Sequence, residues 1–160
     1  MACSRLYLAK ELALRFIRIR LQIITARKTD RQEKDAAFGL ERDLQLALRG
    51  NIDQLEAGLS IVDGDKEQTV ASGRIDITAR DQHGITVVIE LKAGIADRDA
   101  VGQILAYVGD LMDKEPGVRG VLVAREFTPR AVSAARAAAK VRLVRCGFRF
   151  NFEIVGEPAV

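Results

Sequence analysis

Apolar positions along this chain recur with two periods, and each period predicts an element. Leu40, Leu44, Ala47 and Leu48 lie at helical spacing, which predicts a helix from Ala36 to about Leu48, ended by Gly50-Asn51. A short turn over Ile52 to Glu56 leads to a strand at about Leu59 to Val62, and Gly64-Asp65 turns the chain. Gln68 to Arg80 and Ile85 to Lys92 read as the two strands of a hairpin. Asp97 to Asp113 is a second helix, with Ala100, Val101, Ile104, Leu105, Val108 and Leu111 as its buried stripe. Val118 to Ala124, apolar but for Arg119, reads as a central strand. Thr128-Pro129 opens an Ala-rich helix running to about Ala139, with the hydroxyl as N-cap and proline at the first helical position. Val141 to Arg145 and Phe148 to Ile154 close the chain as strands. The order is helix, three strands, helix, strand, helix, strand, strand, which predicts an α/β fold with a mixed central sheet flanked by helices.

Residues 1–35 are less legible. Ile17, Ile19, Leu21 and Ile23 alternate with Arg18, Arg20 and Gln22 as in a strand, while Leu8, Leu12, Phe16 and Ile19 fit a helical stripe. They are set apart as a basic N-terminal segment, and 36–160 as the main domain. The N-terminal apolar stretch is interrupted by Lys10, Glu11, Arg15, Arg18 and Arg20, so it lacks the run of a secretory signal.

Composition narrows the chemistry by exclusion. The 160 residues are 48% hydrophobic and 29% charged, the balance of a globular domain with a real core. A net charge of +3 suits an anionic partner, and the absence of Trp argues against an aromatic base-stacking platform. Cys3 and Cys146 are too far apart for a CxxC metal or redox motif, so a reduced, cytoplasmic compartment is expected. No run reaches the roughly 18 apolar residues of a membrane span. His83 is the only histidine and sits in a turn, Asp81-Gln82-His83-Gly84. That excludes multi-histidine metal sites and leaves a histidine-dependent nucleophile nothing else to use. No phosphate-binding GxxxxGK[ST] or GxGxxG loop occurs. Catalysis, if present, must rest on carboxylates, lysine and a metal.

The central hairpin offers such a set. A three-residue loop, Gln82-His83-Gly84, with the glycine left-handed, pairs Asp81 with Ile85 and thereby sets Asp76 opposite Glu90. Ile75, Ile77 and Ala79 then face Leu91, Ile89 and Val87 on an apolar side. Arg74, Asp76, Thr78 and Arg80 share the other side with Lys92, Glu90, Val88 and Thr86. Directly opposed like charges destabilise a strand pair unless a positive charge lies between them. Lys92, two residues after Glu90, projects to the same side. The group is therefore either an ion pair on the surface or a site for a divalent cation such as Mg²⁺ or Mn²⁺.

Gly73-Arg74-Ile75-Asp76, then Glu90-Leu91-Lys92, then Gln103 and Tyr107 resemble the PD-(D/E)XK, or restriction-endonuclease-like, superfamily. The closer likeness is to the catalytic domain of the NucS (EndoMS) family of mismatch-directed endonucleases. It extends through Leu40-Glu41-Arg42-Asp43-Leu44-Gln45, Leu55-Glu56-Ala57-Gly58-Leu59 and Val118-Arg119-Gly120-Val121-Leu122-Val123-Ala124, over roughly residues 36 to 150. The resemblance implies an αβββαβ core and metal-dependent hydrolysis of DNA phosphodiester bonds, in DNA repair. It implies Asp76, Glu90 and the backbone carbonyl of Leu91 as metal ligands, with Lys92 beside the attacking water. Glu41 would reach the metal through water, and Gln103 and Tyr107 would stand at the rim. The family's separate N-terminal DNA-binding and dimerising domain has no counterpart in residues 1–35, so the resemblance carries the chemistry and not the mismatch specificity. A homodimer or a larger repair assembly fits the same frame.

Two further expectations concern DNA. Arg74, and Arg130, Arg136 and Lys140 on the third helix, with Arg142 and Arg145 on the next strand, form a candidate phosphate-binding surface. The second class of function is a non-catalytic nucleic-acid-binding or assembly module retaining the fold; the complete Asp76, Glu90 and Lys92 set favours the enzyme.

Overall fold

A computed structural model describes residues 40–147. Residues 1–39 and 148–160, with the N-terminal segment and the expected strand Phe148–Ile154, lie outside the described residues.

Helix α1 spans 40–49 and is followed by one helical turn, α2 (Ile52–Leu55). Seven strands then alternate with two helices: β1 (Ser60–Ile61), β2 (Gln68–Val70), β3 (Gly73–Ile75), β4 (Ile77–Arg80), β5 (Thr86–Ala96), α3 (Arg98–Met112), β6 (Arg119–Phe127), α4 (Pro129–Arg136) and β7 (Val141–Arg145). Five strands form one sheet in the order β1-β4-β5-β6-β7. The pairs β1/β4 and β4/β5 are antiparallel; β5/β6 and β6/β7 are parallel, each joined through a crossover helix as parallel pairing requires. The expected mixed sheet and αβββαβ core are both present.

Both faces of the sheet are covered. Val88, Leu122 and Ala124 pack with Ala100, Val101, Ile104, Tyr107 and Val108 of α3 and Ala131 of α4. Ile77, Ala79, Val87, Ile89, Leu91, Val121 and Val123 pack on the other face with Leu44 of α1 and, partly buried, Leu48, Ile52 and Leu55. The polar side expected for the hairpin is buried at its centre, where Thr78, Thr86 and Glu90 are all at most 6% exposed, while Arg74 and Arg80 remain exposed. Helix α3 starts where Asp97 accepts from the backbone N–H groups of Asp99 and Ala100, and α4 where Thr128 accepts from that of Ala131.

Three expectations are corrected. The segment Gln68–Arg80 is not one strand. It reverses at Ala71-Ser72 and pairs with itself as a separate ribbon, Gln68↔Ile75 to Val70↔Gly73, before β4 joins the main sheet. Ile75 consequently packs on the α3 side, not beside Ile77, because the bend at Asp76 turns the chain over. In α3, Leu105 is 38% exposed and Tyr107 takes its place in the core. At 100° per residue, Leu105 lies at the edge of the stripe centred on Ile104, whereas Tyr107 lies beside Ala100. Finally, α4 stops at Arg136, short of the expected Ala139: the N–H groups of Ala138 and Val141 bond the carbonyls of Ala135 and Ala138, tight i→i+3 turns that lead the chain into β7.

Candidate active site

The β4–β5 hairpin sets the site's geometry. The amide of Gly84 donates to the carbonyl of Asp81, that of Asp81 to Ile85, and Gly84 takes a φ of 76°, the left-handed conformation the loop requires. The ladder runs Arg80↔Thr86, Ala79↔Val87, Thr78↔Val88, Ile77↔Ile89. Continued by one step, it sets Asp76 against Glu90, as the odd-length loop implies. Asp76 itself lies at a bend between β3 and β4, just beyond the ladder.

Glu90 is only 2% exposed. Its Oε1 accepts from Lys92 Nζ at 3.0 Å, while Oε2 is buried with no hydrogen-bond partner among the described residues. Burial, then the neighbouring charge of Asp76, pushes the Glu90 carboxyl up to about 7, against the opposing pull of Lys92. Burial likewise raises Asp76, although its Oδ2 accepts from the Leu91 backbone N–H at 2.8 Å. Burial works against the charge of Lys92, but Glu90, Glu41 and Asp76 together outweigh it and hold the ammonium above its ordinary value. Glu41 of α1 stands near enough for its charge to act on Asp76, Glu90 and Lys92, and Glu67 for its charge to act on Asp76. Excess negative charge around one buried, unpartnered oxygen is an arrangement a cation would relieve.

The donors fit a hard divalent ion. Asp76 and Glu90, close enough for the charge of one to raise the other, would supply two carboxylate ligands. Mg²⁺ accepts that number readily, completing its shell with carbonyl, water or phosphate oxygens. Leu91, expected to offer its carbonyl, also orients Asp76 through its N–H.

Other expected residues are placed differently. Gln103 Nε2 donates to the Tyr107 hydroxyl at 2.7 Å, but Tyr107 is buried at 3% exposure, not at a rim. Its ring supports Gly73, where a Cβ would sit 3.0 Å from the hydroxyl and where φ is +147°. Neither side chain hydrogen-bonds Asp76, Glu90 or Lys92 among the described residues. Arg74 is exposed and pairs with Glu67 at 3.3 Å. Several of the basic residues have partners within the chain: Lys140 holds carbonyls, Arg142 pairs with Glu56 and Arg145 with Glu126. Arg130 and Arg136 are exposed without an ion pair to a described residue, Arg130 in the first turn of α4, which follows the C-terminal end of β6.

Three polar residues escaped the sequence reading. Gln45 and Arg49 of α1 donate to the backbone carbonyl of Asp76 at 2.6 and 2.9 Å, and Arg49 is gripped by Asp63. For Gln45 and Arg49 the signal was their spacing from Glu41, which puts them with it on one face of α1; Asp63 carried none.

The family model for the endonuclease NucS C-terminal domain matches residues 40–146. The chain belongs to this family. It is 40% identical over 96 residues to an endonuclease NucS of Arthrobacter sp. (strain FB24), covering 58% of this chain and 40% of that one. An endonuclease NucS of Micrococcus luteus is 40% identical over 111 residues, or 68% of this chain and 45% of the relative. Among solved structures, a repair endonuclease from Pyrococcus abyssi superposes with a TM-score of 0.61 at 28% identity, over 66% of this chain and 46% of that one. EndoMS in complex with double-stranded DNA gives a TM-score of 0.60 at 28% identity, over 68% and 46%. The chain thus spans less than half the length of these relatives, and the match falls on the NucS domain that holds Asp76, Glu90 and Lys92.

Proposed function

We propose that the chain is a metal-dependent DNA endonuclease domain, hydrolysing phosphodiester bonds with Mg²⁺ or Mn²⁺ at Asp76 and Glu90. The observation that carries this reading is the buried Glu90 Oε2, which stands beside a second carboxylate and a lysine and has no hydrogen-bond partner among the described residues. The names of the relatives, endonuclease NucS and a repair endonuclease, support the activity, and the EndoMS complex with double-stranded DNA supports the substrate.

When bound, the cation supplies positive charge to the phosphate and acidity to the attacking water. The chain's residues have separable parts in this scheme. Asp76 and Glu90 would hold the ion, and each is fixed by a hydrogen bond, Asp76 by the Leu91 N–H and Glu90 by Lys92. Lys92 stays protonated, so it acts as a donor and fixed charge toward the water or the phosphate, and not as a base. Glu41, whose charge acts on Asp76, Glu90 and Lys92, would be the acid that accepts from a water of the ion. Arg130 and Arg136, exposed and without an ion pair to a described residue, are cations available to the DNA backbone, and Arg74, exposed beside Glu67, is a further candidate.

The test is cleavage of mismatched, nicked, branched and single-stranded DNA with Mg²⁺, Mn²⁺ or a chelator. Metal-dependent products from the wild type, lost in Glu90→Gln, are the expected result. DNA binding with no cleavage under any metal would leave a binding module in its place.

A further inference from the structure

The bend at Asp76 is the one point where the chain passes from the β2–β3 ribbon into the main sheet, and it lies outside both ladders. A bend between two short strands has little of its own to fix its backbone. Here the Asp76 carbonyl takes Gln45 Nε2 at 2.6 Å and Arg49 Nη2 at 2.9 Å. Arg49 is itself anchored: Nη1 and Nη2 donate to the two carboxylate oxygens of Asp63 at 2.8 and 2.9 Å. Asp63, whose side chain is 1% exposed, also accepts from the backbone N–H of Thr78 at 2.9 Å, along the β4 edge that β1 leaves uncovered, and from that of Asp65 at 3.0 Å.

We infer that Arg49, oriented by Asp63 and assisted by Gln45, is the positioning residue that holds the Asp76 carboxylate in place for the cation. The inference rests on the metal-site reading above and adds to it the means by which one ligand is aimed. A guanidinium suits the task because its planar fork meets both Asp63 oxygens while one nitrogen still reaches the Asp76 carbonyl. An ammonium keeps the charge opposite Asp63 but not the three-point geometry. Asp76 is then tied at two ends, its carbonyl to α1 and its carboxylate to the Leu91 N–H.

Arg49→Lys in the full 160-residue chain is the main variant, with Gln45→Ala beside it because that change strands no buried charge. Arg119→Lys is the control: Arg119 pairs with Glu56 and Asp81, and Asp81 begins the turn at the other end of the hairpin. The readouts are hydrogen exchange of the Leu91 amide in metal-free protein, Mn²⁺ affinity by calorimetry, and melting temperature. Arg49→Lys should speed Leu91 exchange and weaken Mn²⁺ binding, each by about tenfold, as loss of a residue supporting a metal ligand does. Gln45→Ala should show the same signature at smaller size, and Arg119→Lys should lower the melting temperature while leaving both readouts unchanged. Wild-type Leu91 exchange in folded Arg49→Lys and Gln45→Ala would overturn the inference. Because that exchange is measured without metal or DNA, it decides the role of Arg49 even if the wild-type chain cuts no DNA and the nuclease reading fails.

Discussion

The backbone N–H of Leu91 donates to Asp76 Oδ2 at 2.8 Å, so the strand that carries Glu90 and Lys92 also orients the acid across from it. An amide oxygen can accept the same bond. Asp76→Asn therefore keeps this contact while removing a charge that burial disfavours. The metal-free variant should melt a few degrees higher, since about 1 kcal/mol moves the midpoint of a domain this size by roughly 2–4 °C. Metal-supported cleavage should fall about a thousandfold, the equivalent of several kcal/mol of lost charge stabilisation. Calorimetric melting beside a cleavage assay checks both; undiminished cleavage in the Asn variant would remove Asp76 from the site.

The Glu90 carboxyl, raised from 4.5 to about 7, sets a pH dependence with a definite sign. Between those values the folded state holds a proton that the unfolded state has lost. The contribution is therefore fully present below pH 4.5 and disappears as pH rises through 7, in all about 3 kcal/mol. Asp63, Asp81 and Glu115, whose carboxyls are lowered, give the opposite slope at more acidic pH. Denaturant melts from pH 4 to 8 should show wild-type stability falling relative to Glu90→Gln across this window. Added Mn²⁺ should protect more strongly at the alkaline end, where the proton no longer competes. Parallel curves for the two proteins without metal would refute the assignment.

Gly73→Ala should destabilise the domain by about 1–3 kcal/mol, because φ is +147° and the added Cβ meets Tyr107 at 3.0 Å. Tyr107→Phe removes the closest atom, so the double variant should recover part, not all, of the loss. A double-mutant cycle from urea melts measures that coupling. Strict additivity would show that the hydroxyl is not what Gly73 accommodates.

DNA binding should divide the basic residues that the third expected helix and the strand after it group together. Arg130→Ala should reduce the slope of log affinity against log salt by about 0.9, the value of one phosphate contact. Lys140→Ala should leave that slope unchanged and lower the melting temperature, since its ammonium holds the carbonyls of Pro116 and Val118. Titrations at several salt concentrations separate the two, and an unchanged slope for Arg130→Ala would take that residue off the DNA surface.

What the sequence determined by itself was the part written in short-range chemistry. The Gln82-His83-Gly84 loop fixed the hairpin's register, that register set Asp76 across from Glu90 and Lys92, and Asp97 and Thr128 marked the starts of α3 and α4. Each of these depends on neighbours a few residues away, whose spacing imposes the backbone's period whatever the rest of the chain does. The tertiary structure alone decided the rest. It folded Gln68–Ile75 into its own ribbon, turned Ile75 to the α3 side, buried Tyr107 in preference to Leu105 and committed Lys140 to holding a loop. It also brought Gln45 and Arg49 to the Asp76 carbonyl across 31 and 27 residues of chain. No local period encodes contacts of that range: a polar side chain on a helix face has many possible partners, and packing of α1 against the sheet selects the one that stays buried and needs a donor.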